Sequence, residues 1–409
     1  MPSSTQPFAL SRTEFVALIA MMFATIAFSI DAMLPALPSI GAELSPDQPN
    51  RVSLILTSFV FGMGIGTFIA GPLSDSFGRK PIIYAGATIY ILSAAVAWAS
   101  SSVEVMLVAR IFQGFGAAGP RIVSVAIVRD LFSGREMAKI VSIVMLVFTL
   151  VPAMAPLLGS FIIAGFGWRG IFVAFITFSA LSVAWMSARM PETLPVTNRR
   201  PLRFSLIFSA LKELFSHPSV RTSILVQSLA MGMLFSMLTL VQPIYFEVYD
   251  RAASFPYWFG AVALFAGTAS LLNAIMVVRY GMRRLVTVTL AFQIVFSSIM
   301  LGFDLGSLPG NYGFAAFVAF QTCLFFQAGL TLGNLNAIAM EPVGHIAGIA
   351  ASAIAAISTV LAALMASPIG LLFDGTIKPL VVAVLIMAMI GYILMLRLGR
   401  IETRAANQP

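Results

Sequence analysis

The sequence has few of the residues from which catalytic and metal sites are built. Its 409 residues include one cysteine and two histidines, and only 10% of them are charged. The lone cysteine, Cys323, excludes an intramolecular disulfide and a cysteine-based metal site. No G-x-x-x-x-G-K-S/T phosphate loop occurs, which argues against direct use of ATP. We therefore expect neither a metal nor another cofactor.

Long apolar stretches dominate what is present. Hydrophobic residues make up 59% of the chain, which is more than a soluble core requires. Runs of about 20 apolar residues recur from end to end, and each is long enough to cross a bilayer as a helix. We predict an all-α integral membrane protein with twelve transmembrane helices, at residues 15–37, 52–72, 81–100, 103–128, 140–163, 170–188, 222–246, 256–278, 285–303, 312–336, 346–372 and 379–397.

Basic residues are distributed unevenly among the predicted loops. An even number of spans places both termini on one side, and most Lys and Arg residues fall in the loops of that side. The opposite loops carry only Arg51, Arg169, Arg251 and Lys378. Because cytoplasmic loops are enriched in Lys and Arg, this bias predicts cytoplasmic termini, and it explains the net charge of +8 without a nucleic-acid partner. The first apolar run lacks a small-residue cleavage site, so we expect a retained helix rather than a signal peptide.

The longest interruption divides the predicted spans six and six. We predict an N-terminal six-helix bundle over 1–190, a cytoplasmic linker over 191–220 and a C-terminal six-helix bundle over 221–409. A weak internal repeat supports two pseudo-symmetric halves, because Phe77–Lys80 is echoed by Tyr280–Arg284, in each case between the second and third spans. Duplicated halves of this kind place a substrate near the midplane between them.

One acidic residue is predicted to lie well inside a span. Asp31 falls in the second half of the first span, whereas nearly all of the 16 acidic residues lie in loops or at span ends. A charge near the centre of a span costs at least about 2.5–3.5 kcal/mol on insertion scales, which makes Asp31 a candidate proton-exchange group. The alternative is a helix-end aspartate at the outer interface, because Pro35 and Pro38 would end the helix early.

Arg110 is the matching cation in the fourth predicted span, and Arg121 follows it on the same helix. Their separation is close to three helical turns, so both side chains lie on one face, which must point to a polar interior. Protonation of Asp31 would remove a negative charge from the field of Arg110, and Arg121 is a possible cavity residue. The alternatives are that Arg110 holds backbone carbonyl groups and that Arg121 reaches the cytoplasmic interface.

Uncharged polar and helix-bending residues complete the set of candidates. Gln113 and Asn273 lie within spans and are possible substrate or cavity residues, although most such groups join helices. The fifth span carries Pro152, Pro156 and Gly159, which predict a bent helix with a groove for close packing. On physical grounds alone, ordinary packing between membrane helices is the favoured interpretation of these three residues.

Residues 71–80, GPLSDSFGRK, form a short charged turn between the second and third spans. Two spans joined by so short a loop must form a helical hairpin. The pattern G-x-L-x-D-x-x-G-R-K is similar to the one that the major facilitator superfamily carries at this place. The segment RIFQG from Arg110, the segment RDLF from Arg129 and the proline-rich fifth span follow in the family's order. The chain therefore resembles that superfamily and, within it, the drug:proton antiporters of the bicyclomycin/chloramphenicol-resistance (Bcr/CflA) branch.

The resemblance implies roles for the matching residues. Asp31 would be the proton- and substrate-responsive acid, and Arg110 would tune it. The prolines and Gly159 of the fifth span would shape an antiporter helix that limits leak. A conformational latch would consist of Gly71, Asp75, Gly78, Arg79, Lys80 and Asp130. In that latch Asp75 would lie against the N-terminus of a helix in the other half, and Arg79 would pair with Asp130.

The resulting hypothesis is a proton-coupled multidrug efflux antiporter. It would export small, mostly apolar drugs of the chloramphenicol or bicyclomycin type by alternating access, as a monomer in the bacterial inner membrane. One alternative is a proton-coupled carrier of a metabolite such as an amino acid or a sugar. A remote alternative is a polytopic membrane enzyme or sensor. Against it stand the wide separation of His217 and His345 and the lack of a segment long enough for a soluble output domain.

Overall fold

Long apolar runs alternate with short polar turns, and the chain folds accordingly into long helices. The structure, a computed structural model, describes residues 10–199, 201–202 and 204–406. These residues contain no β-strand. Their α-helices are α1 Arg12–Asp31, α2 Leu37–Leu44, α3 Ser53–Phe77, α4 Arg79–Trp98, α5 Val103–Leu131, α6 Gly134–Phe166, α7 Arg169–Arg189, α8 Phe204–Ser216, α9 Pro218–Pro243, α10 Phe255–Tyr280, α11 Met282–Gly302, α12 Asn311–Met340, α13 Ala347–Leu371 and α14 Lys378–Ala406.

All of the described helices except α2 and α8 are long enough to cross a membrane. Eleven continuous helical runs among the described residues are sufficiently long and apolar, and one of them, Asn311–Leu371, is 61 residues long. That run holds two spans, because the 3-10 segment Glu341–Ile346 separates α12 from α13 and Val343 has non-helical backbone angles there. The predicted all-helical membrane fold with twelve spans is confirmed.

Two segments differ from the sequence-based expectation. The sequence predicts one helix over 15–37, whereas α1 ends at Asp31 and the chain continues through a 3-10 turn, Leu34–Ala36, into α2. Pro35 has no backbone N–H to donate, which disfavours a continuous α-helix at this point. The predicted linker over 191–220 contains α8, a helix that was not predicted. Two of the linker's basic residues, at positions 200 and 203, lie outside the described residues.

Glycines let α3 and α5 approach each other closely. A Cβ atom at Gly62 would lie 1.8 Å from the carbonyl oxygen of Ile111, and one at Gly114 would lie 1.9 Å from that of Phe59. The two backbones are therefore in direct contact. Lipid supplies no hydrophobic driving force between helices, so association relies on close packing of this kind. The approach brings the α5 side chains around Gly114 within reach of α3 carbonyl groups.

The two sets of six spans meet through reciprocal helix pairs. The second span of the first set, α3, packs against α13, the fifth of the other set, and α6 packs against α10 in the converse way. This exchange is what a pseudo-two-fold relation between the halves produces. The boundaries 1–190, 191–220 and 221–409 stay a prediction, and residues 1–9 and 407–409 lie outside the described part of the chain. We call the face at which α1 begins and α14 ends the terminal face, and the opposite face the distal face.

Candidate functional site

Asp31 is the last residue of α1, at the point where the helix gives way to the 3-10 turn. Its side chain is buried, at 4% exposure. Within the described part of the chain, no hydrogen bond or ion pair reaches its carboxyl group. A carboxylate without a partner is costly in an apolar environment, and the C-terminal end of a helix adds an unfavourable dipole. Such a position suits a group that takes up and releases a proton.

Helix α6 contacts the chain directly beside Asp31. A Cβ atom at Gly159 would lie 2.3 Å from the carbonyl oxygen of Ala32, so only glycine permits this approach. On another side of α6, a Cβ atom at Gly260 of α10 would lie 2.7 Å from the carbonyl oxygen of Ala153. The segment that carries Pro152, Pro156 and Gly159 therefore lies between the α1 turn and the second half of the protein.

Arg110 of α5 is fully buried, at 0% exposure, and its guanidinium group binds three acceptors. It donates to the carbonyl oxygens of Ser29, at 3.1 Å, and Ile55, at 3.3 Å. It also donates to Gln113 Oε1 at 2.7 Å, and it lies 4.4 Å from the centre of the Phe59 ring. The close approach of α3 and α5 at Gly114 brings the α3 acceptor, the carbonyl oxygen of Ile55, within reach.

No ion pair joins Arg110 to Asp31 among the described residues. The contacts of Arg110 instead match the alternative in which it holds backbone carbonyl groups. One of those carbonyls, Ser29 O, lies two positions before Asp31 on α1. The link between the two residues is thus indirect, through the backbone of the helix that ends at Asp31.

Sequence reasoning missed two partners in this region, Ser29 and Tyr90. The Ser29 hydroxyl group donates to the Thr25 carbonyl oxygen at 2.6 Å. Because that bond uses the single proton of Ser29, the Tyr90 hydroxyl group donates to the Ser29 oxygen, also at 2.6 Å. Both Ser29, at 0% exposure, and Tyr90, at 1%, are buried. An isolated serine and tyrosine in apolar runs carry no spacing signal that would have identified the pair.

The predicted latch gathers around Arg79 at the terminal face. Arg79 donates to Asp130 through Nε at 2.8 Å and through Nη2 at 3.2 Å, so the expected pair is present. Its Nη1 donates to Asp75 at 2.6 Å and to Ser74 at 2.8 Å. The hairpin turns at Gly78, whose φ of 105° favours glycine.

Asp75 accepts a hydrogen bond from Arg79 of its own half, and among the described residues no hydrogen bond joins its carboxylate to the other half. The expected dipole contact of Asp75 with a helix N-terminus of the other half stays a prediction. One turn earlier on α3, a Cβ atom at Gly71 would lie 3.0 Å from the Ser352 hydroxyl oxygen of α13, so the two halves are in contact here. Phe68 also packs against the buried apolar cluster around Ile354 in the second half.

Glu192, which was not predicted, adds a third carboxylate to the cluster around Arg79. Its carboxylate accepts from the backbone N–H groups of Arg79 at 2.9 Å, Lys80 at 3.0 Å and Leu194 at 3.0 Å. Partial burial opposes ionisation, but the three N–H donors and the nearby positive charge of Arg199 together outweigh it and hold the pKa of Glu192 below its ordinary value. The ammonium group of Lys80 donates to the carbonyl oxygen of Met190 at 2.8 Å. The start of α4 is thereby tied to the loop after α7.

Two predicted cavity residues lie apart from these groups. Arg121 is partly exposed, and no hydrogen bond or ion pair of its side chain is recorded within the described ranges. Asn273 accepts a hydrogen bond from Asn334 Nδ2 at 2.7 Å and so joins α10 to α12. The structure therefore brings Asp31, Arg110 and Gln113 into one region and places Asn273 between two helices of the second half.

Comparison with known proteins decides the family. The family model described as Major Facilitator Superfamily matches residues 17–367. The chain belongs to the Major Facilitator Superfamily. Membership makes it a multi-pass membrane transporter of small molecules rather than an enzyme.

Individual relatives of this superfamily chain support the same assignment. The bicyclomycin resistance protein homolog of Haemophilus influenzae is 32% identical over 360 residues, which cover 86% of this chain and 88% of that protein. The chloramphenicol resistance protein of Pseudomonas aeruginosa is 34% identical over 166 residues, or 40% of this chain and 39% of that protein. The solved D-xylose-proton symporter is 16% identical with a TM-score of 0.69, covering 94% of this chain and 97% of that one, and shows the shared fold alone.

Proposed function

We propose that this superfamily member exports small, mostly apolar drugs in exchange for protons. The observation that carries the proposal is Asp31, a carboxyl group that is 4% exposed and has no partner among the described residues. A transporter driven by protons needs a group that can change charge at the transport path, and intramembrane carboxyl groups are suited to it. The relatives named for bicyclomycin and chloramphenicol resistance support drugs as the cargo.

In the proposed cycle Asp31 is protonated from the distal side, which favours release of the drug. The protonated carrier then rocks so that the site opens to the terminal side. There the proton leaves, and a drug binds in its place. Arg110 holds the end of α1 in place through the Ser29 carbonyl group. A change of charge at Asp31 therefore alters its electrostatic interaction with the positive charge of Arg110. Gln113 holds that cation in place.

Helix α6 transmits this change between the halves. Its Gly159 touches the backbone beside Asp31, and Ala153 touches α10. The bends expected at Pro152 and Pro156 shape the contact so that rocking of the halves moves the α1 turn, and tight packing here limits leak.

The residues around Arg79 act as the latch of the terminal face. Arg79, Asp75 and Asp130 join the ends of α3, α4 and α5 into one unit. The hairpin turn at Gly78 and the bond from Lys80 to Met190 complete that unit. At Gly71 this unit packs closely against Ser352 of α13. Opening of the terminal face separates α3 from α13 and leaves the unit itself intact.

The proposed setting is the bacterial inner membrane with the terminal face in the cytoplasm. The excess of Lys and Arg in the loops of that face supports this orientation. The proton gradient replaces a cofactor as the driving force. One chain contains both halves of the transport path, which supports function as a monomer.

Drug accumulation in living cells tests the proposal. The full chain is expressed in a bacterium that lacks its main efflux pumps, and accumulation of radiolabelled chloramphenicol is followed. We expect cells with the chain to accumulate less chloramphenicol than cells without it. A protonophore should restore accumulation, and so should the Asp31→Asn variant. The matched control is Asp47→Asn, which removes an exposed acid outside the spans. If Asp31→Asn accumulates as little drug as the parent, the proposed role of Asp31 is wrong. If the parent exports none of a wide panel of drugs, a metabolite carrier is favoured.

A further inference from the structure

A cavity of about 280 Å³ lies between the two halves at the distal face. One side is formed by α2 and the turn before α3, and the other by the end of α9 and the end of α13. Its walls are mostly apolar and include Leu240, Phe246 and Phe373. We call it the distal cavity. It is separate from the Asp31 region, since neither Asp31 nor Arg110 lines it.

Two buried polar side chains line the distal cavity without a partner. Ser53 is 5% exposed, and its hydroxyl oxygen has no hydrogen-bond partner in the part of the chain that the structure describes. Gln242 is 4% exposed, and its amide forms no hydrogen bond among the described residues. Leaving a buried polar group unpaired is unfavourable, because the group has lost its hydrogen bonds to water and gained none in return. Both groups therefore favour a ligand that can hydrogen-bond to them.

A single acid lies at the edge of the distal cavity. Glu247 is exposed and belongs to the π-helical turn Ile244–Val248 that follows α9. Turns of this kind are frequent at functional sites, because the extra residue redirects a side chain. Among the described residues, no basic side chain lines the cavity. The cavity thus presents one negative charge, polar groups and apolar walls.

The distal cavity exists only while the halves touch at this face. Asn50 donates to the carbonyl oxygens of Leu371 at 3.2 Å and Phe373 at 2.7 Å, across the gap between the halves. Ser367 donates to the Thr57 hydroxyl oxygen at 2.9 Å in the same way. Opening of the distal face must break these bonds and divide the cavity. A ligand that binds the closed cavity therefore stabilises the closed arrangement.

We propose that the distal cavity is a second small-molecule site, which takes an amphiphilic amine and holds the distal face closed. The protonated amine meets Glu247, and an aromatic body fills the space between Leu240, Phe246 and Phe373. A hydrogen-bonding group of the ligand satisfies Gln242 and Ser53. This inference goes beyond the proposed function and depends neither on proton coupling nor on the identity of the exported drug.

Binding of dansylcadaverine, a fluorescent aromatic amine, to the purified full chain tests the site. We expect the dissociation constant to rise about twofold to fivefold in Glu247→Gln, as for an exposed charge pair. A rise of about twofold to tenfold is expected in Ser53→Ala, where a hydrogen bond is lost. Asp47→Asn, which removes an exposed acid near the cavity that does not line it, should leave the constant unchanged. Dansyl butylamide, which lacks the amine, should bind equally well to the parent and to Glu247→Gln.

The opposite pattern overturns the site. If Asp31→Asn weakens binding of dansylcadaverine while Glu247→Gln and Ser53→Ala do not, the probe occupies the Asp31 region instead. Equal weakening by Asp47→Asn and Glu247→Gln would mean a general effect of surface charge, which also refutes the proposal. A chain that binds the probe as expected but exports no drug would refute the proposed function and still support this site.

Alkylation of a single cysteine tests whether the ligand holds the halves together. Thr57→Cys in a Cys323→Ser background places the thiol at the contact with Ser367, outside the cavity lining. Saturating dansylcadaverine should slow its reaction with N-ethylmaleimide severalfold. At a probe concentration near the dissociation constant of the parent, Glu247→Gln should weaken that protection. An unchanged rate with the probe bound would overturn closure of the distal face by the ligand.

Discussion

Adding one methyl group at Gly159 should displace the turn that holds Asp31, although Gly159 lies on another helix. A Cβ atom there would lie 2.3 Å from the carbonyl oxygen of Ala32, whereas ordinary van der Waals contact begins at 3.4 Å. In Gly159→Ala the backbones of α6 and α1 must therefore separate by about 1 Å. Neither atom belongs to a flexible side chain, so the strain cannot relax locally. Overpacking of this kind costs about 1–3 kcal/mol.

The same helix offers a matched control. Gly165 also lies in α6, but a Cβ atom there would have no neighbour within 4 Å. Gly165 is the second-last residue of α6, so its replacement by alanine gains at most the benefit of about 0.5–1 kcal/mol that the change brings in the middle of a helix. Gly165→Ala should therefore be neutral or slightly stabilising. The difference between the two variants isolates the contact with Ala32 from helix propensity.

Thermal unfolding in detergent and chloramphenicol export in cells are the two assays. Each kcal/mol shifts the midpoint of a large domain by about 2 °C, so Gly159→Ala should unfold about 2–6 °C lower than Gly165→Ala. Export should fall in Gly159→Ala even at a temperature where the protein is fully folded, because the turn that holds Asp31 has moved. If both variants unfold and transport alike, the packing argument for α6 is refuted.

Three further sets of variants test, in turn, a contact of the terminal face, one of the Asp31 region and one of the distal face. The lowered pKa of Glu192 means that its stabilisation is complete above the ordinary value of about 4.3 and is lost as the pH falls through the lowered value. Glu192→Gln should thus lower thermal stability at pH 7 but cease to differ from the parent in acid, and a constant difference would contradict this. Ser29→Ala and Tyr90→Phe remove one shared hydrogen bond, so each should cost about 1 kcal/mol and the double variant less than the sum; additive costs would refute the pairing. Asn50→Ala removes the two bonds that Asn50 donates to Leu371 and Phe373, so the thiol of Thr57→Cys in the Cys323→Ser background should be alkylated faster, and an unchanged rate would count against a role of Asn50 in closure.

Features that repeat along the chain were predictable from the sequence. Apolar runs of membrane length gave the twelve spans because each must satisfy its backbone hydrogen bonds internally as a helix. The spans depend on composition and spacing, which a single sequence contains. The pair between Arg79 and Asp130 was expected for another reason, namely that the resemblance of residues 71–80 to the superfamily's motif implies it.

Contacts that depend on tertiary proximity were not predictable. Arg110 binds the carbonyl oxygens of Ser29 and Ile55, and every residue has such an oxygen, so no sequence signal marks the acceptors. Glu192 looked like any other loop acid, because its role depends on the fold of α4 beside it. The distal cavity depends on how the two halves meet, which neither half specifies alone.

Drug-evoked proton release decides whether Asp31 carries the proton. The purified chain is reconstituted into proteoliposomes with a pH-sensitive dye and an imposed pH gradient, and chloramphenicol is added. We expect proton movement with the parent and with Asp47→Asn, and none with Asp31→Asn. Coupled proton movement that persists in Asp31→Asn would rule out Asp31, because the proton would then be carried by another group.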